Sequence, residues 1–174
     1  TDSGEDTLIV CLKCNHGANQ EKAVSRITPN DNNVALRPMR KEYTPNVRSI
    51  EDLQVFFPEI SADKMAKTII YVADGKPVAV AIRGDRQVNK VKLGNKIGAI
   101  EVELADEETI LKVTGAPVGF AGPIGLQEGV TVYFDKSVQG LTNFLCGCNK
   151  ENYHLLDVNF GEDCLLRNER RKAI

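Results

Sequence analysis

No stretch of this 174-residue chain approaches the roughly 20 consecutive apolar residues that a membrane helix requires, so no membrane-spanning helix is expected. The opening Thr1-Asp2-Ser3-Gly4-Glu5-Asp6 is acidic, polar and without an initiator Met, which reads as no signal peptide and as a processed chain or a piece of a longer one. A basic excess is also missing: 22 Lys and Arg stand against 24 Asp and Glu, a formal net charge of −2. Proteins that grip nucleic acid along its length gain affinity from each phosphate they neutralise. An RNA partner is therefore expected to be touched over a short stretch only. The one basic cluster, residues 167–172, reads as a solvated helix end rather than an RNA-binding tail. There are two histidines, His16 and His154, and no GxSxG elbow, so a Ser-His-Asp nucleophile is not indicated.

What is present is a soluble globular balance, 42% hydrophobic and 26% charged, in a chain long enough for one core and a small appendage. The five cysteines are an odd number without secretory context, so reduced thiols in a cytoplasmic protein are expected. Cys11-x-x-Cys14 and Cys146-x-Cys148 together offer four thiolates, the set zinc favours. The second pair has one intervening residue rather than two, the pairs lie far apart in sequence, and no helper His stands at ligand spacing. Free thiols, buried or half-exposed, are the expectation.

Residues 1–43 hold a β-like run at 7–11, helical composition at 19–27 and turn formers at 28–33, with too few large apolar residues for a core of their own. From Thr44 onward the pattern is denser. Ser49 can cap a helix to Phe57, with Glu51 and Asp52 in its first turn and Ile50, Leu53 and Phe57 as its apolar stripe. A short helical turn is expected at 63–66. Residues 68–73 and 77–82 read as a hairpin across Asp74-Gly75, apolar on both faces and hence central. Residues 85–93 look helical, 99–104 a strand, and Asp106 caps a helix over 107–113. Residues 115–125, GAPVGFAGPIG, form a shaped Gly/Pro loop. A strand at 130–134 ends at Asp135, a helix is expected over 137–146, and a last strand over 153–160. No repeat is visible. One mixed α/β domain over 44–163 follows from this interspersion.

The run KTIIYVADGKPVAVAIRGDRQVNKVKL (67–93), followed in order by GFAGPIGL, VYFD and GCNKENYH, resembles the insertion domain of bacterial prolyl-tRNA synthetases, of the YbaK-like aminoacyl-tRNA deacylase superfamily. Residues 3–23 are similar to the synthetase segment just before that insertion. His16 stands there where an aromatic is usual, and Gly17 where Ala is. The resemblance implies a YbaK-like fold, a central mostly antiparallel, barrel-like sheet surrounded by helices. It implies residues 1–43 and 164–174 as flanking pieces of the synthetase core. The parts of that core that bind ATP and activate proline are absent, so this stretch should not aminoacylate and needs no cofactor for editing.

The implied activity is hydrolysis of alanine mischarged onto tRNA(Pro), in the cytoplasm. The implied partners are the acceptor end of tRNA(Pro) carrying alanine and the rest of a synthetase that forms homodimers. Cysteinyl-tRNA(Pro) specificity, and a non-catalytic tRNA-binding or zinc-stabilised appendage, are the alternatives. Water attack on an ester needs a cation or donors for the terminal nucleotide, N–H groups for the developing oxyanion and a pocket that sizes the side chain. Lys67 matches the family lysine expected to hold the terminal phosphate and orient the ester. Gly119, Phe120, Ala121, Gly122 and Pro123 match the family's GxxxP loop, in which glycines let the backbone approach a ligand and Pro stiffens the turn. His154 is expected to contact the amino acid and limit its size, and Asp135 to bind its α-amino group or orient water in the same pocket. Thr44 is a pocket-lining candidate. Asn149 is a substrate-side candidate that, like Asn89 and Lys92, also suits a scaffold role, and Arg83-Gly84-Asp85 reads as a turn.

Overall fold

Asp74 and Gly75 both take positive φ, 46° and 75°, the conformation that a two-residue hairpin turn demands. The sequence Ala73-Asp74-Gly75-Lys76 therefore folds the chain back on itself with Ala73 opposite Lys76. The Asp74 carboxylate secures the turn by accepting from the amides of Ile100 and Glu101. The computed structural model describes residues 8–19, 21–24, 34–164 and 171–174. In chain order the elements are β1 (Leu8–Val10), β2 (Gly17–Asn19), β3 (Arg40–Tyr43), α1 (Ile50–Phe56), a 3₁₀ turn (Ala62–Lys64), β4 (Met65–Ala73), β5 (Lys76–Arg83), α2 (Lys90–Ile97), β6 (Val102–Leu104), α3 (Glu107–Thr114), β7 (Thr131–Phe134), β8 (Phe144–Gly147), β9 (Tyr153–Val158) and β10 (Arg171–Ala173).

β1 and β2 form a separate hairpin, and the remaining strands make one sheet in the order β10-β7-β5-β4-β8-β9-β3, with β6 on β4. The pairings β4–β5, β4–β6, β8–β9 and β9–β3 are antiparallel. The pairings β10–β7, β7–β5 and β4–β8 are parallel, so the sheet is mixed rather than of one kind. The sheet reaches past 44–163 at both ends, through β3 and β10. Arg37 N–H and the Ala35 carbonyl, on the segment before β3, are tied to the Asn143 side chain.

The β4–β5 hairpin is central because its side chains feed two cores. Ala66, Ile70, Ala79 and Ala81 pack with Phe134, Phe144 and Val158 on one face. Tyr71, Ala73, Val78 and Val80 pack with Leu93 and Val102 on the other. The period-two alternation divides one apolar run between both sides. Fully burying each large side chain contributes about 1.5–3 kcal/mol, and Phe120, Phe134 and Phe144 are completely buried. Leu53 of α1 joins Val47, Met65, Leu145 and Leu156 in a third cluster.

The helices start where side chains replace missing backbone partners. Ser49 and Asp52 form a capping box on α1. Asn89 accepts from Lys92 N–H to open α2, and Asp106 accepts from Thr109 N–H to open α3. The helix expected over 85–93 thus begins only at Lys90. Before it, Arg83 and Asp85 pair at 2.6 and 2.8 Å, which holds 83–85 as the turn its sequence suggests.

The helix expected over 137–146 is absent. Residues 136–140 are turns, Gly140 and Asn143 take positive φ, and Phe144–Gly147 is β8. Strand wins here because residues 144–147 are all buried between β4 and β9, which only an extended segment permits. Two smaller differences are that Met65 and Ala66 already belong to β4 after the 3₁₀ turn, and that β9 stops at Val158. In the stretch 19–27 expected to be helical, Asn19 ends β2 and residues 21–24 are turn and irregular; residues 20 and 25–27 lie outside the described residues, as do the turn cluster 28–33, the acidic start and residues 167–170.

Candidate active site

The pairing of β4 leaves a gap along one edge. β8 pairs with Met65 and Ala66, and β6 pairs with residues 71–73. Main-chain groups alternate along a strand. The Met65 carbonyl accepts from Gly84 on the β5 side, whereas the Ile70 carbonyl accepts from Ala105 on the opposite edge. The even-numbered Thr68 therefore turns its own N–H and C=O toward the gap. A cavity of about 280 Å³ opens there, lined by Ala66, Lys67 and Thr68 of β4, Gly119 and Ala121 of the Gly/Pro loop, Gly147 of β8, His154 of β9, the start of α1 from Arg48 to Glu51, and Gln87.

Lys67 is half-buried, and its ammonium donates to the Gly84 carbonyl at 3.1 Å. Desolvation lowers its pKa from the ordinary lysine value, and the charges of Glu51 and Asp85 oppose that shift. His154 is 2% exposed. Burial lowers its pKa to about 4, so at neutral pH the ring is uncharged. Its Nδ1 shares a 2.6 Å hydrogen bond with Thr44 Oγ1. Phe120, with no exposure, lies against the imidazole at 5.9 Å between centroids, and the Arg48 guanidinium lies 5.7 Å from the Phe120 ring centre.

The loop is shaped by backbone contact. A Cβ on Gly122 would stand 1.8 Å from the Gly147 carbonyl oxygen, and one on Gly147 would stand 2.1 Å from that of Ala121. Gly119 has φ +104°, and a Cβ there would strike Arg48 Cβ at 2.6 Å. Asn149 clasps the loop: its Oδ1 accepts from Gly122 N–H at 2.7 Å, and its Nδ2 donates to the carbonyls of Gly122 and Ile124 at 3.2 and 2.8 Å. The Asn149 amide adds a bond to Phe120 O.

The structure thus brings Lys67, Gly119, Ala121 and His154 to one cavity. Thr44 and Phe120 are buried against His154, Pro123 is buried within the loop, and Asn149 braces that loop. Because Gly122 N–H is engaged by Asn149, it is not among the donors open to a ligand. Asp135 is not in this cavity. It lines a second, larger one, and its carboxylate accepts from Ser137 N–H at 2.8 Å. The reason is strand order: β5 stands between β7, which ends beside Asp135, and β4, which carries Lys67. Sequence reasoning missed Arg48, Gln87, Gly147 and Thr68 as lining residues. Only the glycine next to Cys148 gave any signal, as a place where backbone comes close.

The thiols divide by location: Cys146 and Cys164 are buried, Cys148 is half-buried and Cys11 and Cys14 are exposed. Burial pushes the Cys146 and Cys148 thiols upward, the opposite of what a reactive thiolate needs. Among the described residues no group of three or more His, Cys, Asp or Glu is placed to hold a metal ion. No described helix is long and apolar enough to cross a membrane.

The chain is 43% identical over 162 residues to the proline--tRNA ligase of Citrifermentans bemidjiense, covering 93% of this chain and 28% of that protein. It is 46% identical over 159 residues to the proline--tRNA ligase of Caldicellulosiruptor saccharolyticus, covering 91% of this chain and 27% of that protein. The chain therefore spans a little over a quarter of these relatives. The fold is shared with the crystal structure of a candidate trans-editing enzyme for prolyl tRNA synthetase, at a TM-score of 0.65 and 14% identity over 78% of this chain and 84% of that one. The model of the aminoacyl-tRNA editing domain matches residues 44–163, and the chain belongs to that family.

Proposed function

We propose that the cavity beside β4 hydrolyses the ester of alanine mischarged onto tRNA(Pro), as the editing unit of a prolyl-tRNA synthetase. Residues 44–163 carry the activity in this reading, and 1–43 and 164–174 are pieces of the synthetase core. The observation that carries it is the convergence of the Lys67 ammonium, the Gly119–Ala121 backbone and the uncharged His154 on one small cavity. Lys67 holds the terminal nucleotide's phosphate and orients the ester, and loop and β4 main-chain groups face the carbonyl that water attacks. A buried imidazole against Phe120 closes the end that receives the side chain. An activation site built for proline discriminates weakly against smaller alanine, since a missing methylene changes binding by only about 1–3 kcal/mol. A second site that accepts alanine and excludes proline supplies the missing selectivity. No metal or organic cofactor enters this scheme.

The test is single-turnover hydrolysis of Ala-, Cys- and Pro-tRNA(Pro) by the purified chain, with Lys67→Ala alongside. Faster loss of the alanyl ester than of the other two, abolished in the variant, supports the proposal. Preferential loss of the cysteinyl ester would replace alanine by cysteine. A well-folded protein that leaves all three esters intact would sink it.

A further inference from the structure

Gln87, in the segment between β5 and α2, lines two cavities: the small one described above and a groove of about 540 Å³ beside α2. In a chain whose net charge is −2, the groove has the opposite balance. Lys22, Arg86, Lys92, Lys96 and Lys136 line it against two carboxylates, Glu21 and Asp135. Lys92 and Lys96 are one helical turn apart on α2, hence on the same face. Lys136 follows β7. Lys92, Lys96 and Lys136 pair with no carboxylate among the described residues. Lys92 instead donates to the Ala23 carbonyl, which fixes the ammonium without cancelling its charge. Between the cations the surface is partly aliphatic, through Val88 and Ile174.

A row of positive charge with apolar patches that adjoins an ester-binding cavity fits one kind of ligand: a single-stranded polynucleotide whose 3′ end enters that cavity. We propose that this groove is the track for the nucleotides preceding the terminal adenosine, with Lys96 and Lys136 taking their phosphates and Gln87 marking where the groove meets the cavity. This rests on the reading of the small cavity as the ester site. It also accounts for how an acidic chain handles RNA: the cations are concentrated where the last few phosphates pass, so the rest of the surface need not be basic.

The experiment compares wild type with Lys96→Ala/Lys136→Ala, both exposed positions whose loss leaves the core untouched. The first readout is anisotropy of a labelled single-stranded RNA ending in CCA, titrated across salt. The double variant should bind about tenfold more weakly at low salt, with a salt slope shallower by about 1.4, two contacts at about 0.7 each. The second readout is hydrolysis of Ala-tRNA(Pro) beside alanyl-adenosine, which carries the ester but no phosphates. The proposal expects slower hydrolysis of the tRNA and an unchanged rate on the nucleoside. Unchanged RNA binding would overturn it, as would equal losses on both esters. If wild type hydrolyses neither ester, the ester-site reading fails on its own, and the binding arm still decides whether the groove takes RNA.

Discussion

His154 Nδ1 and Thr44 Oγ1 meet at 2.6 Å across 110 residues of sequence, and this bond joins β9 to the segment just after β3. It fixes the imidazole plane at the cavity wall while burial keeps the ring neutral.

That neutrality makes stability depend on pH in one direction. The unfolded ring takes a proton near pH 6.5 and the folded ring only near pH 4, so the unfolded state binds more protons between those values. Stability is full above about pH 6.5 and falls as pH drops toward 4, by up to about 3 kcal/mol from this residue. Urea melts at pH 7.5, 6, 5 and 4 check this, and His154→Gln should flatten the profile. A profile equally steep in the variant would assign the dependence elsewhere.

Replacing Lys67 by Ala is expected to slow deacylation by about 100-fold or more, the scale seen when a preorganised charge is removed from a reacting site. Stability should change little, since among the described residues the ammonium makes one hydrogen bond, to Gly84 O. Rapid-quench rates with a melting curve on the same sample separate the two effects.

Gly122→Ala should be among the most damaging single-methyl changes in the chain. Its Cβ would overlap a main-chain oxygen, which cannot rotate away as a side chain can. A loss of about 2–4 kcal/mol, with activity lost through the displaced loop, is expected. Gly125→Ala, where a Cβ meets nothing but φ is +80°, should cost only about 1 kcal/mol, and denaturant midpoints compare the pair.

Asn149→Ala removes three side-chain bonds to the loop, one to Gly122 N–H and two to carbonyls. A stability loss of about 2–3 kcal/mol is expected from the groups left unpaired. Amide exchange at Gly122 should rise far more than at β5, and uniform acceleration would contradict a local clasp.

Among the described residues, the buried Thr68 hydroxyl has no hydrogen-bond partner. Thr68→Val, which keeps the shape and removes the orphan group, should raise stability by about 1 kcal/mol. Its main chain still faces the cavity, so the deacylation rate should hold. A large rate loss at unchanged stability would show instead that the hydroxyl serves the reaction.

Elements whose reasons are local were legible in the sequence. Asp74-Gly75 can close a two-residue turn whatever surrounds it, Ser49 and Asp106 cap helices with their own side chains, and the nearly continuous apolar runs of β4 and β5 announce a strand pair buried on both faces. The ordered motifs from Lys67 to His154 indicated the family for the same reason, since they are strings of residue types in sequence. Residues 137–146 show where that legibility stops. Helical composition gave way to β8 because burial between β4 and β9 outweighs propensity. Strand order likewise set Asp135 apart from Lys67 and brought His154 to it through β8, and no spacing along the chain encodes which strand lies between which. The cavity itself is a gap in the pairing of β4, so its lining by Arg48, Gln87 and Gly147 follows from how elements distant in sequence come together, and tertiary structure alone decides that.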